Sequence, residues 1–183
     1  MKKVIVLHGA NGVGKDAVAD ILRDSYGFEK MQFKDPALKS IRELLGESLY
    51  GRFWRDYNDR STKEVGVPYL GGLSPRGLLI KYCEEFVKPT FGSDFFGRLA
   101  ADAVRRSGGD RIVFSDFRFA EEVESLAEVV SANVRVVLLC RSGFNLESFD
   151  FARSLNLRVG WVHSGDGLGP EDTAREVLFA SDY

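Results

Sequence analysis

The octet Gly9-Ala10-Asn11-Gly12-Val13-Gly14-Lys15-Asp16 has the residue types and spacing to hold phosphate. Glycines at 9, 12 and 14 let the backbone curl so that successive N–H groups face one point, where phosphate oxygens can accept from them. A helix opening at the end of the octet adds partial positive charge, and Lys15 carries a full charge on a long stem toward the outer phosphates. The pattern matches a phosphate-binding loop at Gly9, Gly14 and Lys15 and departs from it at the last position, where Asp16 replaces the usual Ser or Thr. A hydroxyl there ordinarily ligates the magnesium ion of a nucleotide. A carboxylate either does the same, directly or through a retained water, or simply suits the first turn of a helix. The residues alone leave both readings open.

Other charged residues fall where such a loop would use them. Arg111-Ile112-Val113-Phe114-Ser115-Asp116 is an apolar run ending in an acid. In phosphate-loop proteins a carboxylate at the end of a central strand stands beside the loop, near the metal. Arg118 follows two residues later, either to clamp an anionic substrate or to pair with Asp116 and cap the turn. Lys39 and Arg42 lie just beyond a second strand and either face an acceptor phosphate or form a solvated helix face. Arg76 follows Ser74-Pro75 in the first turn of a helix, where the dipole favours an acid, so an anionic partner is expected. Arg141, after the run Val134–Cys140, and Arg153 and Arg158 beyond it are candidates to neutralise charge during phosphoryl transfer. The turn His163-Ser164-Gly165-Asp166-Gly167 either packs against a nucleotide base or serves only as a turn.

These residues need a scaffold that gathers strand ends. Apolar runs at Val4–Leu7, Phe28–Phe33, Arg111–Phe114, Val134–Cys140 and Leu157–His163 alternate with helical patterns at Lys15–Tyr26, Pro36–Leu45, Pro75–Val87, Asp94–Ser107, Ala120–Val130 and Pro170–Ala180. Near-continuous apolar strands between helices predict an α/β fold with a parallel five-stranded sheet covered on both faces. Gly46 to Leu73 breaks the alternation with aromatics, glycines and a charged cluster. Together with the helices after it, it is expected to form a helical substrate-covering insert at about residues 46–107.

At 183 residues and 44% hydrophobic content the chain can bury one sizeable core, so a single domain over 1–183 is expected. A net charge of −2 without a basic tract argues against nucleic acid as a partner. Cys83 and Cys140 lack metal-ligand spacing and fit reduced, packed thiols. With the first apolar stretch too short for a signal segment or a membrane span, the expectation is a cytoplasmic protein without a membrane partner.

Gly9–Asp16 with its Lys-Asp ending, Phe33–Lys39, Ser74-Pro75-Arg76, and Ser115-Asp116-Phe117-Arg118 with Glu122 resemble bacteriophage-type deoxynucleoside monophosphate kinases over roughly residues 3 to 180. The resemblance implies a P-loop NTPase fold and transfer of the ATP γ-phosphate to a deoxynucleoside monophosphate with magnesium. It implies ATP phosphates on Gly9–Asp16, with Lys15 at the transferring group and magnesium near Asp16 and Asp116. Lys39, Arg76, Arg118 and Arg153 then grip the acceptor, Arg141 or Arg153 stabilises the transferring charge, and a homodimer is admitted. Segment 142–158 departs from the family pattern. Animal-type phosphomevalonate kinases share a Lys-Asp loop, which leaves another small phosphorylated acceptor as an alternative. A nucleotide-dependent switch is a further alternative, although the chain has no Asn-Lys-x-Asp guanine motif.

Overall fold

The computed structural model describes residues 2–129, 133–143, 157–163 and 168–181. The chain divides into two compact units, Met1–Phe33 with Phe96–Tyr183, and Lys34–Phe95. The second unit therefore starts before the expected insert, and helix α5 (Phe95–Arg106), placed in that insert from the sequence, packs into the first unit's core.

The first unit is a five-stranded sheet in the order β2-β3-β1-β4-β5, formed by β1 (Lys3–His8), β2 (Glu29–Met31), β3 (Arg111–Phe114), β4 (Asn133–Cys140) and β5 (Arg158–His163). All four pairings are parallel. Alternation of side chains between two covered faces explains why the central strands β1, β3 and β4 are largely apolar. Val4, Val6, Ile112, Phe114, Val136 and Leu138 face one layer, where Ala101 and Val104 of α5 and Val123 and Leu126 of α6 (Ala120–Val129) cover them. Ile5, Leu7, Val113, Val137 and Leu139 face the other, under Val18 and Leu22 of α1 (Lys15–Tyr26) and Ala174 and Val177 of α7 (Pro170–Ala180). Each fully buried Val, Leu, Ile or Phe among them contributes on the order of 1.5–3 kcal/mol relative to exposure.

Because β1 lies between β3 and β4, the chain leaves β1 and β3 in opposite directions across the sheet. The turns after these two strands thus share the switch point where α/β sheets collect ligands. Those turns are Gly9–Gly14 and Ser115–Phe119.

The second unit is helical. Its long helix α2 (Asp35–Asn58) is broken at Gly46, whose φ of 68° is left-handed. The Pro36–Leu45 helix expected from the sequence is therefore found, and the chain remains helical beyond Gly46 as far as Asn58. Tyr50, Phe53, Trp54 and Tyr57 recur at helical spacing and stack with ring centroids 5.6–6.1 Å apart, which holds the second half helical. A short 3-10 turn (Pro68–Leu70) precedes α3 (Pro75–Ile80), which Ser74 caps by accepting from the Gly77 N–H at 3.0 Å. The same helix continues as a π-helical stretch (Lys81–Val87) and as α4 (Lys88–Phe91).

Candidate functional site

Strand β1 delivers the chain to the glycine octet already at the sheet's carboxyl edge. Gly9 has φ 146°, and a methyl group there would stand 2.5 Å from the Leu139 carbonyl oxygen and 3.1 Å from Val13 Cγ1. Only glycine fits. Val13 is buried and its N–H donates to Ala10 O at 3.3 Å, pinning the loop from below, whereas Asn11 and Gly12 are exposed. Gly14 sits at φ 109° as the N-cap of α1, so the loop runs directly into a twelve-residue helix. The result is a glycine-lined turn ending on a helix N-terminus, with the partial positive charge such an end carries.

Lys15 lies at the first position of that helix. Its Nζ donates to Gly9 O at 2.7 Å and Ala10 O at 2.9 Å, so the ammonium spans the mouth of the loop. The next residue, Asp16, has an exposed carboxylate whose Oδ1 accepts from Ser115 Oγ at 2.7 Å and lies 3.3 Å from Lys30 Nζ. Lys30 also reaches Asp20 Oδ1 at 3.1 Å.

Turn 115–119 brings a second group to the same edge. Asp116 accepts the Phe33 backbone N–H at Oδ1, 2.9 Å away, and so fastens the end of β2. Phe117 is buried and meets the buried His8 edge-on, with His8 Nδ1 3.3 Å from the Phe117 carbonyl oxygen. Glu122 is buried as well. Its carboxylate accepts from the Phe119 N–H at 3.4 Å, and its own N–H donates to Phe119 O, closing the first turn of α6. Arg118 is exposed and makes no ion pair with any described residue. The Asp116–Arg118 pair that the sequence left open is therefore absent among the described residues. Arg141, also exposed, follows β4 at the same edge. Burial raises the thiol pKa of Cys140 beside it, as suits a packed thiol.

The donor set at this edge fits magnesium, because Asp16 and Asp116 present the hard oxygens that ion prefers. Among the described residues no three His, Cys, Asp or Glu side chains converge as a cage. A magnesium ion here would draw its remaining oxygens from phosphate and water.

In the second unit, Lys39 is exposed on α2. Arg76 pairs with Glu64, Nη1 to Oε1 at 3.1 Å, so the anion expected opposite this first-turn arginine is present within the unit itself. Tyr69 donates to Asp56 Oδ2 at 2.8 Å with Arg52 over its ring at 4.3 Å, and burial with that bond raises its pKa to about 12. Arg153 and the turn 164–167 lie outside the described residues; His163 ends β5 and is exposed.

The sequence reading did not anticipate roles for His8, Lys30 or Ser115. A lysine in a short strand and a serine before an acid carry no periodic signal. Their roles come from partners brought near by the parallel sheet.

No protein-family model and no curated protein sequence matches the chain. Solved structures do. A provisionally assigned kinase from Chloroflexus aurantiacus is similar at TM-score 0.51 and 14% identity, with 97% of this chain and 94% of that chain covered. A gluconokinase from Sinorhizobium meliloti 1021 gives 0.48 and 14%, covering 98% and 91%. A plasmid partition protein from Borrelia burgdorferi gives 0.48 and 17%, covering 98% and 86%. With the strand order and the glycine loop, the first of these likenesses establishes the fold: this is an α/β protein of the P-loop NTPase type. Fold alone does not name a reaction. No described helix is long and apolar enough to cross a membrane.

Proposed function

We propose that this protein is a kinase that moves the γ-phosphate of ATP onto the phosphate of a deoxynucleoside 5'-monophosphate. The observation that carries the reading is the glycine cradle Gly9–Gly14, closed by Lys15, at the sheet's switch point beside the exposed Arg118. ATP phosphates accept from the loop N–H groups, and Lys15 exchanges its bonds to the Gly9 and Ala10 carbonyls for the β- and γ-phosphate oxygens. An oxygen of the acceptor monophosphate forms the new bond to γ-phosphorus as the bond to the ADP oxygen breaks. That oxygen is already anionic at neutral pH, so alignment and charge neutralisation suffice and no covalent intermediate with the protein is needed. Magnesium, when bound, neutralises phosphate charge, and Asp16 and Asp116 are the residues suited to hold it.

Arg118 supplies a planar fork for the acceptor phosphate, and Arg141 supports the charge that spreads over the transferring oxygens. Lys39 and Arg76 are assigned to the acceptor by the family resemblance. Arg76 would exchange Glu64 for that phosphate, a cheap exchange for a surface ion pair. An assay coupling ADP release to each common nucleoside monophosphate, and to small phosphorylated metabolites without a base, tests the assignment. The reading requires activity on a deoxynucleoside monophosphate. Activity confined to base-free acceptors would transfer the protein to another kinase class, and ADP release without any acceptor would favour a nucleotide-dependent switch.

A further inference from the structure

The residue that closes the phosphate loop is Asp16, where a hydroxyl is usual, and the structure puts a hydroxyl back from elsewhere. Ser115, at the end of β3 and 1% exposed, directs its Oγ–H to Asp16 Oδ1 at 2.7 Å. The two residues are 99 positions apart, joined through the parallel pairing of β1 with β3. Lys30 Nζ lies 3.3 Å from the same Oδ1, its side chain only 16% exposed. Gln32 Nε2 stands 3.5 Å from Ser115 Oγ, a long contact that flanks the serine on its other side.

The Ser115 and Lys30 contacts fall on one oxygen of one carboxylate, and they come from the end of β3 and from β2 rather than from the loop itself. An ionised carboxylate beside anionic phosphates suffers repulsion unless it is aimed away from them or partly neutralised. A buried hydroxyl fixed at a strand end has little freedom to lose, so its bond restricts the rotation of the Asp16 side chain at small entropic cost. An ammonium on the same oxygen offsets its charge without displacing it. A carboxylate has four lone-pair sites over two oxygens, and a hydroxyl and an ammonium on Oδ1 set the direction in which the carboxylate faces. Outer partners of this kind fix first-rank metal ligands in many sites, and their loss weakens the metal rather than the fold.

We propose that Ser115 and Lys30 are positioning residues for Asp16, so that a hydroxyl absent from the phosphate loop acts on its magnesium–nucleotide complex from strand β3. The proposal rests on the phosphate-loop reading above and adds to it the residues that orient the loop's carboxylate. Neither residue need touch nucleotide. Their effect passes through the Asp16 carboxylate and is confined to the metal-bearing form of ATP. Ser115→Thr keeps the hydroxyl and should keep the function; Ser115→Ala removes it. Lys30→Met keeps the stem and removes the charge, and should act in the same direction.

The test is calorimetric titration of the intact protein with ATP in the presence of magnesium, and again with EDTA, alongside melting curves. For the unsubstituted protein, magnesium should strengthen ATP binding. In Ser115→Ala that gain should shrink by about tenfold, while metal-free ATP binds as before and the melting temperature changes little. Ser115→Thr should restore the gain, which a merely structural serine would not require, and Lys30→Met should lose most of it. A Ser115→Ala protein with the full magnesium gain would overturn this proposal and leave the phosphate-loop reading standing. So would parallel loss of both forms of binding in step with the melting temperature. If the unsubstituted protein binds ATP in neither condition, the phosphate-loop reading falls and the proposal falls with it.

Discussion

The backbone N–H of Phe33 donates to Asp116 Oδ1 at 2.9 Å, so the acid beside the phosphate loop also ties down the end of strand β2. Two roles on one carboxylate can be separated by substitution. An asparagine keeps an oxygen that accepts from Phe33 but loses the charge; an alanine loses both. Asp116→Asn should therefore melt close to the unsubstituted protein while its turnover falls by tenfold or more, on the order expected when charge stabilisation is withdrawn. Asp116→Ala should lose a further stabilisation of about 1 kcal/mol, roughly 2–4 °C for a chain of this size. Melting curves with steady-state kinetics check both. Full turnover by Asp116→Asn would leave Asp116 with its structural role alone.

Gly9→Ala should damage loop and fold together. The added methyl meets the Leu139 carbonyl oxygen at 2.5 Å, and φ of 146° is strained for any L side chain. Overpacking of this kind costs about 1–3 kcal/mol. We expect a lowered melting temperature and ATP binding weakened beyond detection at millimolar nucleotide. Wild-type melting would mean that β4 and the loop separate readily.

Arg118→Lys should impair catalysis although charge is kept, because an ammonium cannot hold two phosphate oxygens in a plane. Arg118 is exposed and has no ion-pair partner among the described residues, so stability should not move. Kinetics in both substrates should give a raised KM for the acceptor monophosphate and a KM for ATP changed much less. A fall in kcat with both KM values held would assign Arg118 to the transfer step instead. Unchanged kinetics would remove it from the site.

Tyr69 should give the second unit a sensitivity to alkali. Burial, and then the bond to Asp56, raise its pKa from 10.0 to about 12, so folding favours the neutral phenol. The linked stabilisation is whole below pH 10 and is lost as pH rises toward 12. In an absorbance titration of phenolate, the component near pH 12 should vanish in Tyr69→Phe. Identical curves for the two proteins would contradict the assignment.

Much of this architecture was legible in the residues because it is local. The apolar run Arg111–Phe114 is strand β3 with those bounds, and Lys15–Tyr26 is helix α1 with those bounds. Both have sharp ends: glycine stands on either side of α1, and an acid stands two residues after β3. The bounds of the second half of α2 are harder to read, because the glycine at 46 and dense charge mask an aromatic stripe, Tyr50, Phe53, Trp54 and Tyr57, at helical spacing. The site divides in the same way. The glycine loop is contiguous and could be read directly. The contact of Ser115 with Asp16 spans 99 residues, and its partners are set by strand register, which no single segment encodes.

Transfer of a γ-phosphoryl group to a nucleoside monophosphate can be followed atom by atom with isotope tracing. The protein would be incubated with γ-labelled ATP, magnesium and each deoxynucleoside monophosphate in turn, and the products separated. Label is expected in the corresponding diphosphate for at least one acceptor. In Lys15→Ala that label should fall by about a hundredfold or more, since a preorganised charge at a reacting phosphate is worth several kcal/mol. Lys15→Ala should still fold, because Lys15 donates to the Gly9 and Ala10 carbonyls at a half-buried loop mouth and its side chain is not part of the hydrophobic core. Label that stays in ATP with every monophosphate, or that reaches product equally well in folded Lys15→Ala, would contradict the account.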